Sequence, residues 1–165
     1  MSVAVPRKAS GGRPLTATAT AGVLGFLGLS AAAGGAAMLT GVGGAVPPSD
    51  WLDAIPVVDS WIAPGLVLGV GFGLGSLVAA YGVLSRPRWA WLRPVERLSG
   101  HHWSWLATIL IGLGQVVWIA LELVYLPQLS MLQAVYGVVG ATLLLLPLHP
   151  AVRGHLAVHD DEAVR

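Results

Sequence analysis

The strongest constraint on this chain is where its charges are missing. Pro14 to Ser49 contains no Asp, Glu, Lys or Arg, and Trp61 to Ser85 is equally clean. Leu98 to Val152 holds a single charge, Glu122. An ionised side chain at the centre of a bilayer costs about 2.5–3.5 kcal/mol even on lenient insertion scales, so runs like these suit membrane-spanning helices. A soluble domain carries roughly 25% charged residues; here the share is 10%, against 55% hydrophobic, over 165 residues. That balance excludes a disordered chain and a nucleic-acid-binding protein. The absence of cysteine excludes disulfides, thiol catalysis and thiolate-bound clusters.

A span needs only about 20 residues, so the last run must hold two. Leu126-Pro127-Gln128-Leu129-Ser130 reads as a tight reversal, and Ser130 with Gln133 three residues later matches a capping box that starts a helix. Pro147 and Pro150 close the pattern. The expectation is an all-α integral membrane protein, an up-down four-helix bundle with spans at about 19–42, 61–85, 103–125 and 131–148. A polar tail, 1–18, precedes it and another, 149–165, follows. The first apolar run exceeds the 7–15 residues of a secretory signal core and reads as a retained span.

Orientation follows from the basic residues. Arg7, Lys8 and Arg13 precede span one, Arg86, Arg88, Arg93 and Arg97 separate spans two and three, and Arg153 and Arg165 follow span four. An even number of spans puts all nine on one side, which the positive-inside rule makes cytoplasmic. Asp50, Asp53 and Asp59 fall on the other. Both termini are therefore expected in the cytoplasm. The excess of Arg over Lys and the 22 glycines fit a GC-rich bacterial genome, and hence a bacterial inner membrane. Trp51, Trp61, Trp103, Trp105 and Tyr125 lie at predicted span boundaries, as an aromatic belt does. Trp89 and Trp91, between arginines, place the inner loop on the headgroup surface, and the outer loop Val46–Ser60 mixes apolar residues with three Asp in the same manner.

Lipid offers helices no hydrophobic reason to associate, so small residues must let backbones approach. Span two carries Gly65, Gly69 and Gly73, with Gly71 and Gly75 on a second stripe; span one offers Gly28, Ala32, Ala36, Thr40 and Gly44. These stripes could join neighbouring helices, or join the chain to a second copy or another membrane protein.

Glu122 is the position with most chemical potential. Thr108, Ile111, Gln115, Trp118, Glu122 and Tyr125 follow spacings of three and four, so they share one face. A stripe with the only intramembrane carboxyl is expected to face the bundle interior. One reading makes Glu122 a proton or cation site or the anchor of a polar ligand, lined by Gln115, Trp118 and Tyr125. The other is structural, with the carboxyl bonded to Tyr81, Tyr136 or a loop backbone group. His101, His102 and His149 gather at the arginine side, where a metal, haem or quinone headgroup is conceivable, though interfacial histidines are the plainer reading. His155 and His159 could ligate together only if the tail were helical, and a disordered end is expected. No metal site and no cofactor is predicted. GxSxG, HExxH and P-loop motifs are absent, and Gly69-Val-Gly71-Phe-Gly73, inside a span, cannot cradle a phosphate.

Trp61-Ile-Ala-Pro-Gly65-Leu-Val-Leu, the helix bearing Gln115 and Glu122, and Ser130-Met-Leu-Gln133-Ala-Val-Tyr136-Gly137 resemble a group of uncharacterised bacterial four-span membrane proteins loosely similar to the DoxX-like bundle, over roughly Val23 to Leu148. The resemblance implies the fold and, through DoxX itself, a quinone-linked redox role. Three functions are therefore carried forward: a non-enzymatic accessory or assembly bundle, a small transporter or proton-coupled carrier using Glu122, and a quinone- or haem-linked redox subunit.

Overall fold

A computed structural model describes residues 13–44, 46–56, 58–126, 128 and 130–158. Arg7, Lys8, Pro127, Leu129, His159 and Arg165 lie outside the described residues. Among the described residues, four helices are long and apolar enough to cross a membrane: α1 (Leu15–Thr40), α2 (Ile62–Ser85), α4 (Trp103–Tyr125) and α5 (Met131–Leu148). Two short helices, α3 (Arg93–Ser99) and α6 (Pro150–Leu156), flank the last pair. No strand occurs among the described residues.

Spans three and four have the expected bounds because local chemistry sets them. The ring of His102 accepts from Ser104 N–H to cap α4, and the Ser130–Gln133 capping box starts α5. The first helix begins four residues earlier than expected, at Leu15, because Pro14 supplies the fixed φ of a helix entry and no charged residue interrupts the turns after it. It ends at Gly41, which takes the left-handed conformation (φ 72°) and donates its N–H to Ala37 C=O. The second span contains an unanticipated feature: Val67–Leu74 runs as π-helix between two α-helical ends. Gly69, Gly71 and Gly73 give this stretch the backbone latitude that a wider turn demands.

Consecutive spans are antiparallel. A Cβ placed on Gly28 would meet Leu77 and Gly73, one on Gly35 would meet Gly69 and Gly65, and Leu39 closes on Gly65. Farther round, Gly82 fits beneath Trp103 and Ser104, and Phe72 reaches both Gly114 and Trp118. Gly112 and Gly140 let α4 and α5 meet, and Phe26 stacking on Tyr136 (ring centroids 6.1 Å apart) closes α1 on α5. The interior is built from Leu24, Leu27, Val83 and Leu143, all fully buried.

The glycine stripe of α2 is therefore engaged within the chain. Its partner stripe on α1 is Gly28, Ala32, Gly35 and Leu39, whereas the expected Ala36 and Thr40 are exposed. The reason is geometric: at 3.6 residues per turn a strict four-residue repeat drifts around the helix, and a contact seam must alternate steps of four and three. Gly44 lies beyond the helix end.

The described arginines, Arg13, Arg86, Arg88, Arg93, Arg97 and Arg153, all lie at one end of the bundle, and Asp50, Asp53 and Asp59 lie at the other. The arginine end is heavily hydrogen-bonded. The last turn of α2 leaves carbonyls without helical partners; Arg13 donates to Leu84 C=O (2.7 Å) and the His155 ring to Val83 C=O (3.3 Å). Against the expectation of a disordered end, Pro150–Leu156 is helical and docked. Its Val152 and Leu156 are buried, Leu156 C=O accepts from His102 N–H (2.6 Å), and Arg86 donates to Ala157 C=O. Two apolar side chains four residues apart, after a proline-initiated turn, are enough to fold this segment against the bundle.

Candidate functional site

The polar seam of α4 faces inward. Thr108 and Gln115 are only 1% and 2% exposed, and Ile111, Trp118, Glu122 and Tyr125 are half-buried. Leu110, Leu113, Val117 and Val124 cover the outward face, and half-exposed Leu121 stands at its border with the cavity described next. On one side of a helix, residues four apart are neighbours, and the Trp118 indole N–H donates to a Glu122 carboxyl oxygen. Gln133 of α5 interacts with the same carboxyl group. Its own oxygen already accepts from Ser130 N–H and Oγ–H, both at 2.7 Å. The cap that begins α5 thus also holds an amide beside Glu122.

Glu122 lines a cavity of about 220 Å³ at the acidic end. Met38 from the end of α1, Trp61 and Pro64 from the start of α2, and Trp118, Leu121 and Tyr125 of α4 form its walls, while Pro47, Ile55 and Val58 of the outer loop border it. The lining is apolar and aromatic apart from the carboxyl. Trp61 adds an unmet donor: its indole N–H is buried with no hydrogen-bond partner among the described residues. About one turn along the seam from Trp118 and two from Glu122, Gln115 Oε1 is buried and likewise unpartnered among the described residues. Leaving such groups unpaired costs about 1–3 kcal/mol each, so both are poised to accept an interaction.

Sequence reading anticipated Glu122, Trp118 and Tyr125 together but placed Tyr81 with them wrongly. Tyr81 is 53% exposed and adjoins Gly82, which packs on Trp103 and Ser104 at the start of α4. Glu122 lies 19 residues farther along that helix, about 28 Å away at 1.5 Å per residue. Antiparallel packing puts the C-terminal end of span two beside the N-terminal end of span three, so the two residues occupy opposite ends. Tyr136 stacks on Phe26. Trp61, Met38 and Val58 were not identified as site residues. The available signal was depth: Met38 and Trp61 flank the acidic connection and Val58 lies in it, level with the C-terminal end of span three.

The described histidines make contacts within the scaffold. His101 stacks on Trp105 (4.5 Å), with its Nδ1 2.7 Å from Ser99 C=O, and exposed His149 caps α6 by accepting from Ala151 N–H. His102 is buried. Its Nδ1 accepts from Ser104, which leaves Nε2–H to donate to Pro87 C=O at 3.1 Å. Burial is the main reason its pKa lies below the ordinary 6.5, and it outweighs the opposing pull of Pro87 C=O and Glu96. Burial lowers His155 in the same way. Among the described residues, no three His, Cys, Asp or Glu side chains form a group that could hold a metal ion. No protein-family model, curated protein or solved structure matches this chain.

Proposed function

We propose that the chain is a multi-pass protein of the bacterial cell membrane, with its arginine end in the cytoplasm, and that it binds a small molecule in the Glu122 cavity without catalysing a reaction. The observation behind this reading is that the lone intramembrane carboxyl borders an apolar cavity at the helix ends. Ionisable side chains inside membranes mark ligand or ion sites by default, and an apolar pocket with a few convergent polar groups is the usual form of a small-molecule site. The orientation rests on the segregation of arginines from aspartates. An accessory role drew its support from the absence of catalytic motifs and from glycine stripes; the Gly65, Gly69 and Gly73 stripe of α2 packs on α1, while Gly71 is exposed and a Cβ on Gly71 or Gly75 would meet only its own helix.

Carriage across the membrane is a second reading, favoured by the π-helical stretch Val67–Leu74. Its Phe72 stands edge-on to Trp118 (ring centroids 5.9 Å, 72°), so a shift between π and α winding would move a wall of the cavity. The binding reading is tested by calorimetry on protein in nanodiscs with a panel of cationic, neutral and anionic probes of about ten non-hydrogen atoms, the size that the cavity volume suggests. Saturable binding by at least one probe is expected, and Leu121→Trp, which fills the cavity, should abolish it. Binding that survives this substitution, or no binding by any probe, refutes the reading.

A further inference from the structure

We infer that the ligand of the Glu122 cavity is a small organic cation, a quaternary or protonated amine on a compact apolar body. The inference rests on the binding role proposed above and assigns the chemical class of the ligand. Three aromatic side chains, Trp61, Trp118 and Tyr125, border the cavity together with the carboxyl of Glu122. Aromatic faces attract cations through their quadrupole, most strongly where water is excluded, and clustered rings are a recurring way to hold quaternary ammonium groups. A carboxylate in the same wall supplies the opposite charge. A neutral ligand would use the rings but leave the carboxylate without a counter-charge, and an anion would be repelled by it.

The surroundings of the cavity favour the same sign of charge. Asp50, Asp53 and Asp59 lie on the connection that contributes Pro47, Ile55 and Val58 to the cavity, and every described Lys, Arg or His lies at the opposite end of the bundle. Clefts lined by one sign of charge concentrate ligands of the other. The size is bounded too, because a 150 Å³ apolar cavity suffices for benzene and the present one is about 220 Å³. In proportion to the six carbons of benzene, the ligand body is about nine to ten non-hydrogen atoms.

Phenyltrimethylammonium and tert-butylbenzene share shape and differ in charge, so they separate class from site. Both are titrated calorimetrically into the full chain in nanodiscs, with empty nanodiscs as reference. The cation should bind at least about tenfold more tightly than its neutral isostere. Glu122→Gln, nearly isosteric, should erase that preference while retaining tert-butylbenzene binding, and Glu122→Asp should keep part of it. Trp61→Leu should weaken the cation by about fivefold to thirtyfold more than the neutral probe. Unfolding temperatures of the variants establish that each is folded. Equal binding of the two probes overturns the cation assignment and leaves the cavity as a site. A preference that survives Glu122→Gln overturns it as well, and binding of neither probe removes the binding role along with it.

Discussion

Among the described glycines, Gly35 is the one where an added Cβ would come nearest to a neighbouring backbone, and replacing it by alanine tests the packing account quantitatively. A Cβ at this position would lie 2.5 Å from Gly69 Cα and N and 2.7 Å from Gly65 O. Ordinary contact begins near 3.4 Å, so α1 and α2 must separate by about 0.9 Å, and no rotamer change can relieve a collision with backbone. A gap of 0.5–1 Å forfeits a quarter to a half of each dispersion contact around it, and overpacking of a rigid site costs about 1–3 kcal/mol. Alanine's better helix propensity returns about 0.8–1 kcal/mol, leaving a net loss of about 2 kcal/mol with the clash at the upper end of its range. For a chain of this length that is a fall of about 4–8 °C in unfolding temperature. The partner residue gives the internal control. A Cβ on Gly69 would be 3.5 Å from Gly35 Cα, an ordinary contact, so Gly69→Ala should hold its unfolding temperature or gain up to about 2–4 °C from propensity. Gly22→Ala, with open space around it, should behave the same way. Thermal unfolding in detergent micelles, followed by the fluorescence of the seven tryptophans, reads all three. If Gly35→Ala melts with the wild type, or Gly69→Ala falls as far as Gly35→Ala, the seam is not where it is described.

The arginine end supplies two further expectations. His102 is held neutral by burial, so between its folded pKa and the ordinary 6.5 the unfolded chain binds more protons than the folded one. Stability should be level above pH 6.5 and fall as the pH drops through and below it, with His155 contributing in the same direction. His102→Asn keeps a good N-cap and should flatten the fall measured by unfolding temperature against pH; an unchanged slope contradicts the assignment. Leu156→Ala, at a site 1% exposed, should cost about 2–5 kcal/mol and release α6 to protease. A tail that stays protected, with an unchanged unfolding temperature, would show that α6 does not depend on this contact.

Much of the architecture is legible in the sequence because local rules suffice for it. Charge-free runs mark the spans, and Ser130 with Gln133 marks the start of α5 without reference to anything distant. The inward face of α4 follows from spacing alone. What was not legible depends on relations between helices. The partner of Gly69 is Gly35 rather than Ala36 because a straight helix drifts against a four-residue repeat. Tyr81 was misplaced although the up-down topology already sets its depth: it stands four residues before the arginine end of span two, and Glu122 three residues before the acidic end of span three. The π-helical turns reflect how α2 settles against α1, which no periodicity reports. Folding of the tail depends on Val152 and Leu156 finding the underside of the bundle. At the site, Glu122 declares itself as a lone charge, while Trp61 and the bordering loop residues join it only through the fold.

The most direct test of the account exploits the absence of cysteine. Single substitutions Ser60→Cys, in the acidic connection, and Ser99→Cys, at the arginine end, are exposed in intact bacterial cells to a maleimide that cannot cross membranes. Labelling of Ser60→Cys in whole cells, with Ser99→Cys labelled only after lysis, is the predicted result. Labelling of Ser99→Cys from outside, or of both positions equally before lysis, would contradict the four-span arrangement with its arginines in the cytoplasm.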